Sequence, residues 1–550
     1  CPCLPMPAPV LTRSCGHKRG YTPKKRGRCL PFFGIPFIFV HPNGIYNTFP
    51  MKNRSFFLLV SVLFVFPLWM RAQVGELPRS VPEAEGVPSR AIAELFDSLM
   101  ALPHTDIHSV MVLRHGKVIA EMYPAPFAAR YRHTMYSCSK TFVSAAVGLA
   151  IADNRLQLTD RVATLLPEYL PDTISGNLAA MNVRDLLTMT SGITPDWDMR
   201  SQTPDWIKTY LSKPVSGVGS KFQYDSISTY LLAAIVQKAT GMTLLEYLQL
   251  KLFNPMHITE VAWELSPEGY NTGGWGLHIQ PESLAKFGQL LLDGGKWQGR
   301  QLLPARWVKE MMTEQQPGTG YGYQMWQCEY PGAWRADGAL GQYILIVPDK
   351  DMVVVITECT LINGVNQRRL VWNRLLPSVA DTALPLADRD NKRLQRKEAA
   401  YALPVVEGSA FRSNSLDGHR ILLEENKYGW QSLTLHTDRA RREVHMDVTT
   451  VRGEAYTLSF GYKTWLTATM EACPPYSIAP VDAFKGIGRS FHTAGSYAWA
   501  TRDVLRLRVH YVDWISALTL DFRTEGRDVT LSVAENYAQG VVTIKGSLAE

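Results

Sequence analysis

Two apolar, β-branched runs, residues 110–113 and 117–122, flank His115-Gly116, and this pattern predicts a tight β-hairpin. From residue 141 to 152 the chain is rich in Ala, Val and Leu at helical spacing and stops at Asp153-Asn154, which predicts a buried helix. Helical periodicity returns over residues 228–239, 244–252, 281–292 and 304–312. Strand patterns follow at 321–327, 342–347 and 352–357. Strands first, helices in the middle and strands last predict one α+β domain over residues 77–380, its sheet joining both ends of the segment. Residues 381–404 are charged and Pro-flanked and read as a linker. Beyond them the period is two, at Leu505, Leu507, Val509, then Leu518, Leu520, Phe522, then Val529, Leu531, Val533. The last two runs flank Glu525-Gly526-Arg527-Asp528, so residues 405–550 are expected to form an all-β barrel or sandwich.

The leader changes the charge picture. Met51-Lys52-Asn53-Arg54 is a basic start, residues 55–69 are an almost unbroken apolar run, and Arg71-Ala72 ends it, so residues 51–72 read as a secretory signal peptide. Residues 1–50, rich in Pro, Arg and Cys without periodicity, are expected to be an upstream extension. Residues 1–72 carry ten Lys and Arg and no Asp or Glu; without them the 57 basic residues become 47 against 50 acidic, a net charge of −3. The body of the chain therefore has no electrostatic case for nucleic acid. An exported protein, periplasmic or extracellular, without stable membrane insertion after cleavage is the expectation.

Of the eight cysteines, four lie in residues 1–50, and Cys138, Cys328, Cys359 and Cys473 are far apart, without metal-ligand spacing; Cys328 and Cys359 are candidates for a disulfide. No zinc, phosphate-loop or nucleophile-elbow motif occurs, so metal-free chemistry without a cofactor is expected.

Ser137-Cys138-Ser139-Lys140 stands immediately before the buried helix. A nucleophile there faces unpartnered N–H groups, and a lysine three residues on, one turn away, can reach its hydroxyl. Desolvation among apolar neighbours lowers the lysine pKa and lets it accept a proton. The same spacing recurs at Ser283-Leu284-Ala285-Lys286, inside an amphipathic helix pattern that reads as a solvated face. At a distance, Tyr224 and Ser226 sit on a loop entering another helix, and a tyrosine near a lysine can relay protons. A third loop, Ala336-Asp337-Gly338-Ala339-Leu340-Gly341-Gln342, leads into a strand, and the Ala339 N–H is a candidate oxyanion donor.

These three motifs, with supporting stretches at residues 156–162, 183–192 and 321–326, resemble the active-site elements of the serine β-lactamase and penicillin-binding-protein superfamily, in its class C and esterase-like branch, which includes 6-aminohexanoate-dimer hydrolases. The resemblance covers residues 85–375. It implies a β-lactamase-like antiparallel sheet flanked by helices, with an all-helical subdomain. It also implies that Ser137 is the acyl-accepting nucleophile, that Lys140 or Tyr224 is its base, and that the N–H groups of Ser137 and Ala339 form the oxyanion hole. Ser226, Asp337, Gly338, Trp275 and Trp334 are the candidate substrate-binding residues. Two positions depart from the pattern: Ser226 replaces the usual Asn, and Ala336 stands where Lys or His normally helps bind a β-lactam carboxylate, with Arg335 beside it. The expected activity is hydrolysis of a small ester, amide or short peptide, including ω-amino-acid oligomers. The rivals are a cell-wall D-aminopeptidase or DD-carboxypeptidase and a non-catalytic ligand-binding protein. For the C-terminal domain the expectations are packing or pocket covering, or carbohydrate binding through Trp430, Trp465, Trp499 and Trp514.

Overall fold

A computed structural model describes residues 75–362, 364–412 and 416–549; the signal-peptide and upstream-extension readings lie outside them. Helix α1 (Ser89–Met100) leads into the hairpin of β1 (Thr105–Arg114) and β2 (Lys117–Met122). His115 and Gly116 join the strands with φ of +51° and +71°, the left-handed pair that a two-residue hairpin turn requires. After the short strand β3 (His133–Thr134), a single 3₁₀ turn, Tyr136–Cys138, enters helix α2 (Ser139–Ala152), buried along nearly its whole length. Asp225 caps helix α3 (Ser226–Thr240), its carboxylate accepting the Ile227 N–H.

Strands β4 (Val261–Trp263) and β5 (Leu277–Ile279) pair with β3 in a small sheet, and helix α4 (Pro281–Leu292) follows. The main sheet is completed by β6 (Trp326–Gln327), β7 (Trp334–Gly338), β8 (Gln342–Val347) and β9 (Met352–Thr360), in the order β2-β1-β9-β8-β7-β6. Its first and last strands in sequence meet at the centre, Val110 opposite Ile356 and Val112 opposite Val354. Because side chains alternate, Val110 and Val112 pack beneath α1, while Met111 and Leu113 join α2, α3 and α4 in the larger core.

Helix α5 (Asp388–Ala400) occupies the stretch read as a linker. Its charge run is one helix face; Leu394 is buried in the core beneath α1, and Lys397 is paired with Asp97 of α1. The C-terminal chain then forms β10 (Arg420–Leu423), β11 (Trp430–Asp438), β12 (Glu443–Thr450), β13 (Ala455–Tyr462), β14 (Leu466–Met470), β15 (Phe491–Trp499), β16 (Leu505–Tyr511), β17 (Ala517–Glu525), β18 (Asp528–Glu535) and β19 (Val541–Leu548). They pair in the order β13-β12-β11-β10-β19-β18-β17-β16-β15-β14, and a parallel pairing of β13 with β15, Phe460 opposite Gly495, closes the sheet into a barrel. The period-two residues fill it: Leu507 faces Leu520, and Leu520 faces Val533.

The barrel is fastened to the N-terminal α+β part by polar contacts. Arg508 reaches Asp106 at 3.0 Å, the Asn536 amide donates to Asp106 at 3.2 Å, and the backbone N–H groups of Val481 and Leu265 donate to Arg200 and Lys485 at 2.8 Å.

Several expectations change. Residues 321–325 form a turn rather than a strand: Gly322 N–H bonds to Met325 O at 2.9 Å and Gln324 takes a left-handed φ of +63°, so only 326–327 pair in the sheet. Ala336, Asp337 and Gly338, read as part of a loop, lie on strand β7. Cys328 and Cys359 are free buried thiols on separate strands and turns, not a disulfide. Ser283 and Lys286 are buried rather than solvated, with Lys286 Nζ donating to His257 O at 3.1 Å. Trp430, Trp499 and Trp514 are core residues of the barrel, and Trp465 is partly buried with its indole N–H on Leu403 O, so these four do not form an open aromatic platform.

Candidate active site

Lys140 is the centre of the site, with 1 % of its surface exposed. Its Nζ lies within hydrogen-bond distance of Ser137 Oγ at 2.8 Å and of Ser226 Oγ at 2.9 Å, and donates to Gly274 O at 2.7 Å. Helix geometry provides the first contact, since the 3₁₀ turn that carries Ser137 runs straight into α2 and puts Lys140 three residues on, one helical turn away. The second comes from the N-terminus of α3, and the third from the loop between β4 and β5. That loop can approach so closely because residue 274 is glycine: a Cβ there would lie 2.2 Å from Ser226 O. Burial lowers the Lys140 pKa from its ordinary 10.5 to about 7, against the opposing pull of the Asp225 carboxylate. Asp225 itself is committed to Tyr210, Ser228 and the α3 backbone.

Tyr224 lies against both members of the pair. The Lys140 ammonium is 4.8 Å from its ring centre. Burial raises its phenol pKa above the ordinary value, and a hydrogen bond with the Ser137 side chain opposes the rise. The phenol is accordingly a neutral group at physiological pH. Cys138 is buried, its thiol donating to Gln342 O at 3.2 Å and its pKa pushed well up by burial, so it is no second nucleophile.

Strand β7 runs beside the Ser137 turn. Gly338 permits the approach, since a Cβ there would lie 2.4 Å from Met135 O. This contact and the Cys138–Gln342 bond place the β7–β8 turn, with Ala339 exposed at its start, alongside Ser137. Asp337 points to the other face of β7, where it is bound by Arg335 at 2.7 Å and lies 3.8 Å from Arg368; Arg368 also pairs with Glu329 at 2.6 Å.

Ser137, Lys140, Tyr224 and Ser226 are thus brought together, with Gly338 and Ala339 alongside. Trp275 and Trp334, expected at the substrate surface, are core residues at 1 % and 7 % exposure. Trp275 packs against Trp197, Trp206 and Arg200, and Trp334 points to the interior face of β7. The aromatic side chains beside Tyr224 that keep some exposure are instead Phe222 and Trp326, the Trp326 ring 5.5 Å from that of Tyr224, with the buried Tyr321 packed behind them. Sequence reasoning missed these residues and the Gly274 carbonyl, although Tyr321 and Trp326 fall in the supporting stretch at residues 321–326.

Comparison with known proteins gives the family of the N-terminal part of the chain. The Beta-lactamase family model matches residues 92–381, and the chain belongs to that family of serine hydrolases. It is similar to the 6-aminohexanoate-dimer hydrolase of Paenarthrobacter ureafaciens, 26% identical over 332 residues that cover 52% of this chain and 84% of that protein. A beta-lactamase of Providencia stuartii is 24% identical over 217 residues, 38% of this chain and about half of its own length (52%). Among solved structures, a penicillin-binding protein homologue from Caulobacter crescentus aligns with a TM-score of 0.43 at 17% identity, over 52% of this chain and 95% of its own.

Proposed function

We propose that this protein hydrolyses esters or short amides through an acyl-enzyme on Ser137. The observation that carries the reading is the threefold contact of Lys140 Nζ. A neutral amine has two N–H donors and one lone pair. Gly274 O can only accept and takes one N–H, Ser226 Oγ takes the other, and the lone pair is left facing the Ser137 hydroxyl. With its pKa near 7, Lys140 is substantially neutral at physiological pH and is the base for the acylation step.

Ser137 Oγ attacks the carbonyl carbon of the substrate as its proton passes to Lys140. The oxyanion is met by the N–H groups of Ser137 and Ala339, each such donor worth about 2.7–4 kcal/mol of transition-state stabilisation. Tyr224, kept neutral by burial, relays the serine proton to the departing alcohol or amine: its own O–H proton passes to the leaving group and the Lys140 ammonium restores it. Water then attacks the ester on Ser137, and the same groups run the sequence in reverse.

Ala336 removes the usual cation from the carboxylate-binding position. Arg335 does not replace it, because its guanidinium is held by Asp337 and by Gln327 O. Those two facts favour a substrate without a carboxylate there over a β-lactam or a cell-wall D-Ala-D-Ala terminus. The aromatic wall of Phe222 and Trp326, both partly exposed beside Tyr224, favours an uncharged acyl chain, such as that of a short ester or an ω-amino-acid oligomer. The secretory leader at residues 51–72 supports a location in the periplasm or outside the cell.

The test is intact mass after exposure to a fluorophosphonate, beside Ser137→Ala treated alike. One adduct that vanishes in the variant is the expected result. No adduct where a reference serine hydrolase labels fully would favour a non-catalytic ligand-binding protein.

A further inference from the structure

Resting on the acyl-enzyme reading above, we propose that the C-terminal barrel is a working part of the catalytic centre: Trp514 of the barrel, through Tyr136, and the barrel core against Leu340 hold the two backbone turns that present the oxyanion-binding N–H groups.

The two donors belong to Ser137 and Ala339. Tyr136 precedes the first and Leu340 follows the second, and each is a non-glycine residue in the left-handed region, with φ of +43° and +62°. Such a conformation is unfavourable for a residue with a Cβ and persists only where its surroundings over-determine it. For both residues those surroundings are the barrel. Tyr136 is buried within the barrel's own apolar core, and Leu340 packs against the same core.

Trp514, in the turn between β16 and β17, is the principal contact. Its ring lies 6.1 Å from that of Tyr136 and stacks on His278 at 5.3 Å. His278 is on β5, whose neighbouring Leu277 accepts the Met135 N–H at 2.9 Å and donates its own N–H to Ser139 Oγ at 3.2 Å. Trp514 therefore supports the Ser137 turn from its own chain segment and from the strand bound to it. The barrel holds the indole in turn: its N–H donates to Pro475 O at 3.2 Å, and Tyr476 and Phe484 each lie 5.0 Å from its ring. On the other side, Leu340 O accepts the Thr360 N–H at 3.0 Å, and the neighbouring Cys359 reaches Asn536 O of the barrel at 3.5 Å.

Trp514 touches no reacting atom and is a positioning residue. Its loss is expected to weaken oxyanion stabilisation while leaving ground-state binding at the aromatic wall intact.

The experiment uses the full chain with Trp514→Ala, Trp514→Phe and Leu340→Gly, beside Ser137→Ala. Two readouts are taken: hydrolysis of p-nitrophenyl acetate, and affinity for phenylboronic acid, whose tetrahedral serine adduct places an oxygen in the oxyanion hole. Trp514→Ala is expected to lower kcat by roughly tenfold or more with KM changed by less than about threefold, and to weaken boronate binding in parallel. Trp514→Phe is expected to recover most of both. Leu340→Gly keeps a residue that tolerates positive φ but loses the barrel contact, so it should show the same split; it decides the matter if Trp514→Ala does not fold. Wild-type kcat and boronate affinity in a folded variant would overturn the coupling alone. Full hydrolysis by Ser137→Ala would overturn the acyl-enzyme reading and the coupling with it.

Discussion

Lys140 Nζ stands 2.8 Å from Ser137 Oγ, and among the described residues no carboxylate forms an ion pair with it. An unpaired buried amine holds its proton weakly, which is why its pKa falls to about 7. Acylation requires the neutral form, so kcat/KM for an uncharged ester should rise about tenfold per pH unit below 7 and level off above it. Stability follows the same linkage. Between about pH 7 and 10.5 the unfolded chain binds a proton here that the folded one lacks, so this group's contribution to stability rises with pH across that window. A pH–rate profile without an inflection near 7, measured on the first-order labelling of Ser137, would remove Lys140 as the base.

Tyr224 has the opposite disposition. Burial raises its pKa, so it serves as a proton donor and relay rather than as a phenolate base. Tyr224→Phe should slow amide hydrolysis by about 10²–10⁴-fold, the usual worth of general acid–base assistance. A p-nitrophenyl ester, whose leaving group needs no proton, should be slowed far less. Equal slowing of both substrates would show that Tyr224 acts on the attack step instead.

The pair Ser137 and Lys140 was legible in the sequence because its spacing is one helical turn, and the hairpin at His115-Gly116 because few residue pairs fit that turn. The partners of Lys140 were less so. Gly274 O is a backbone atom on a loop distant in sequence, and nothing in its side chain marks it. Trp275 and Trp334 were misplaced because an aromatic residue beside a glycine loop does not disclose which face it presents; here both turn inward. The alternation at residues 321–327 resembles a strand, yet the same apolar residues are buried by a turn that directs Tyr321 and Trp326 towards Tyr224. Helix α5 was hidden by its charges, since Leu394, which is buried, is its only large apolar side chain. Tyr136 and Trp514 could not be paired at all, because 378 positions separate them and only the closed barrel brings them together.

Gly274 tests the geometry of the site by steric means. In Gly274→Ala the new Cβ would sit 2.2 Å from Ser226 O, so the loop or the start of α3 must move. Overpacking of this kind typically costs about 1–3 kcal/mol of stability. Because the same loop carries the carbonyl that holds Lys140, hydrolysis should fall further than the loss of folded protein explains. Comparing activity per folded molecule, with folding followed by denaturant titration, separates the two effects. Unchanged specific activity would mean that the Gly274 carbonyl does not orient the amine.

Acid should loosen the junction of barrel and hydrolase before it protonates most carboxylates. His108 Nδ1 and His133 Nε2 are 2.7 Å apart, and His133 Nδ1 donates to Thr134 O at 2.8 Å. That carbonyl fixes the tautomer: His133 Nε2 accepts from His108, and His108 Nε2 is left buried without a partner. His510, on β16 of the barrel, has neither ring nitrogen satisfied and lies edge-on to Phe127 and Trp465. Burial holds all three neutral, lowering His133 to about 4 and His510 to about 3 from an ordinary 6.5. A depressed histidine pKa means that the unfolded chain takes up the proton first. Stability is therefore full above pH 6.5 and is lost as pH falls, by about 3 kcal/mol for His133 alone once pH reaches 4. The midpoint of thermal unfolding should drop steeply between pH 6.5 and 4, and His510→Phe, which removes one of the three groups and both of its unsatisfied nitrogens, should make that drop shallower. An unchanged acid limb in the variant would place the acid sensitivity elsewhere in the fold.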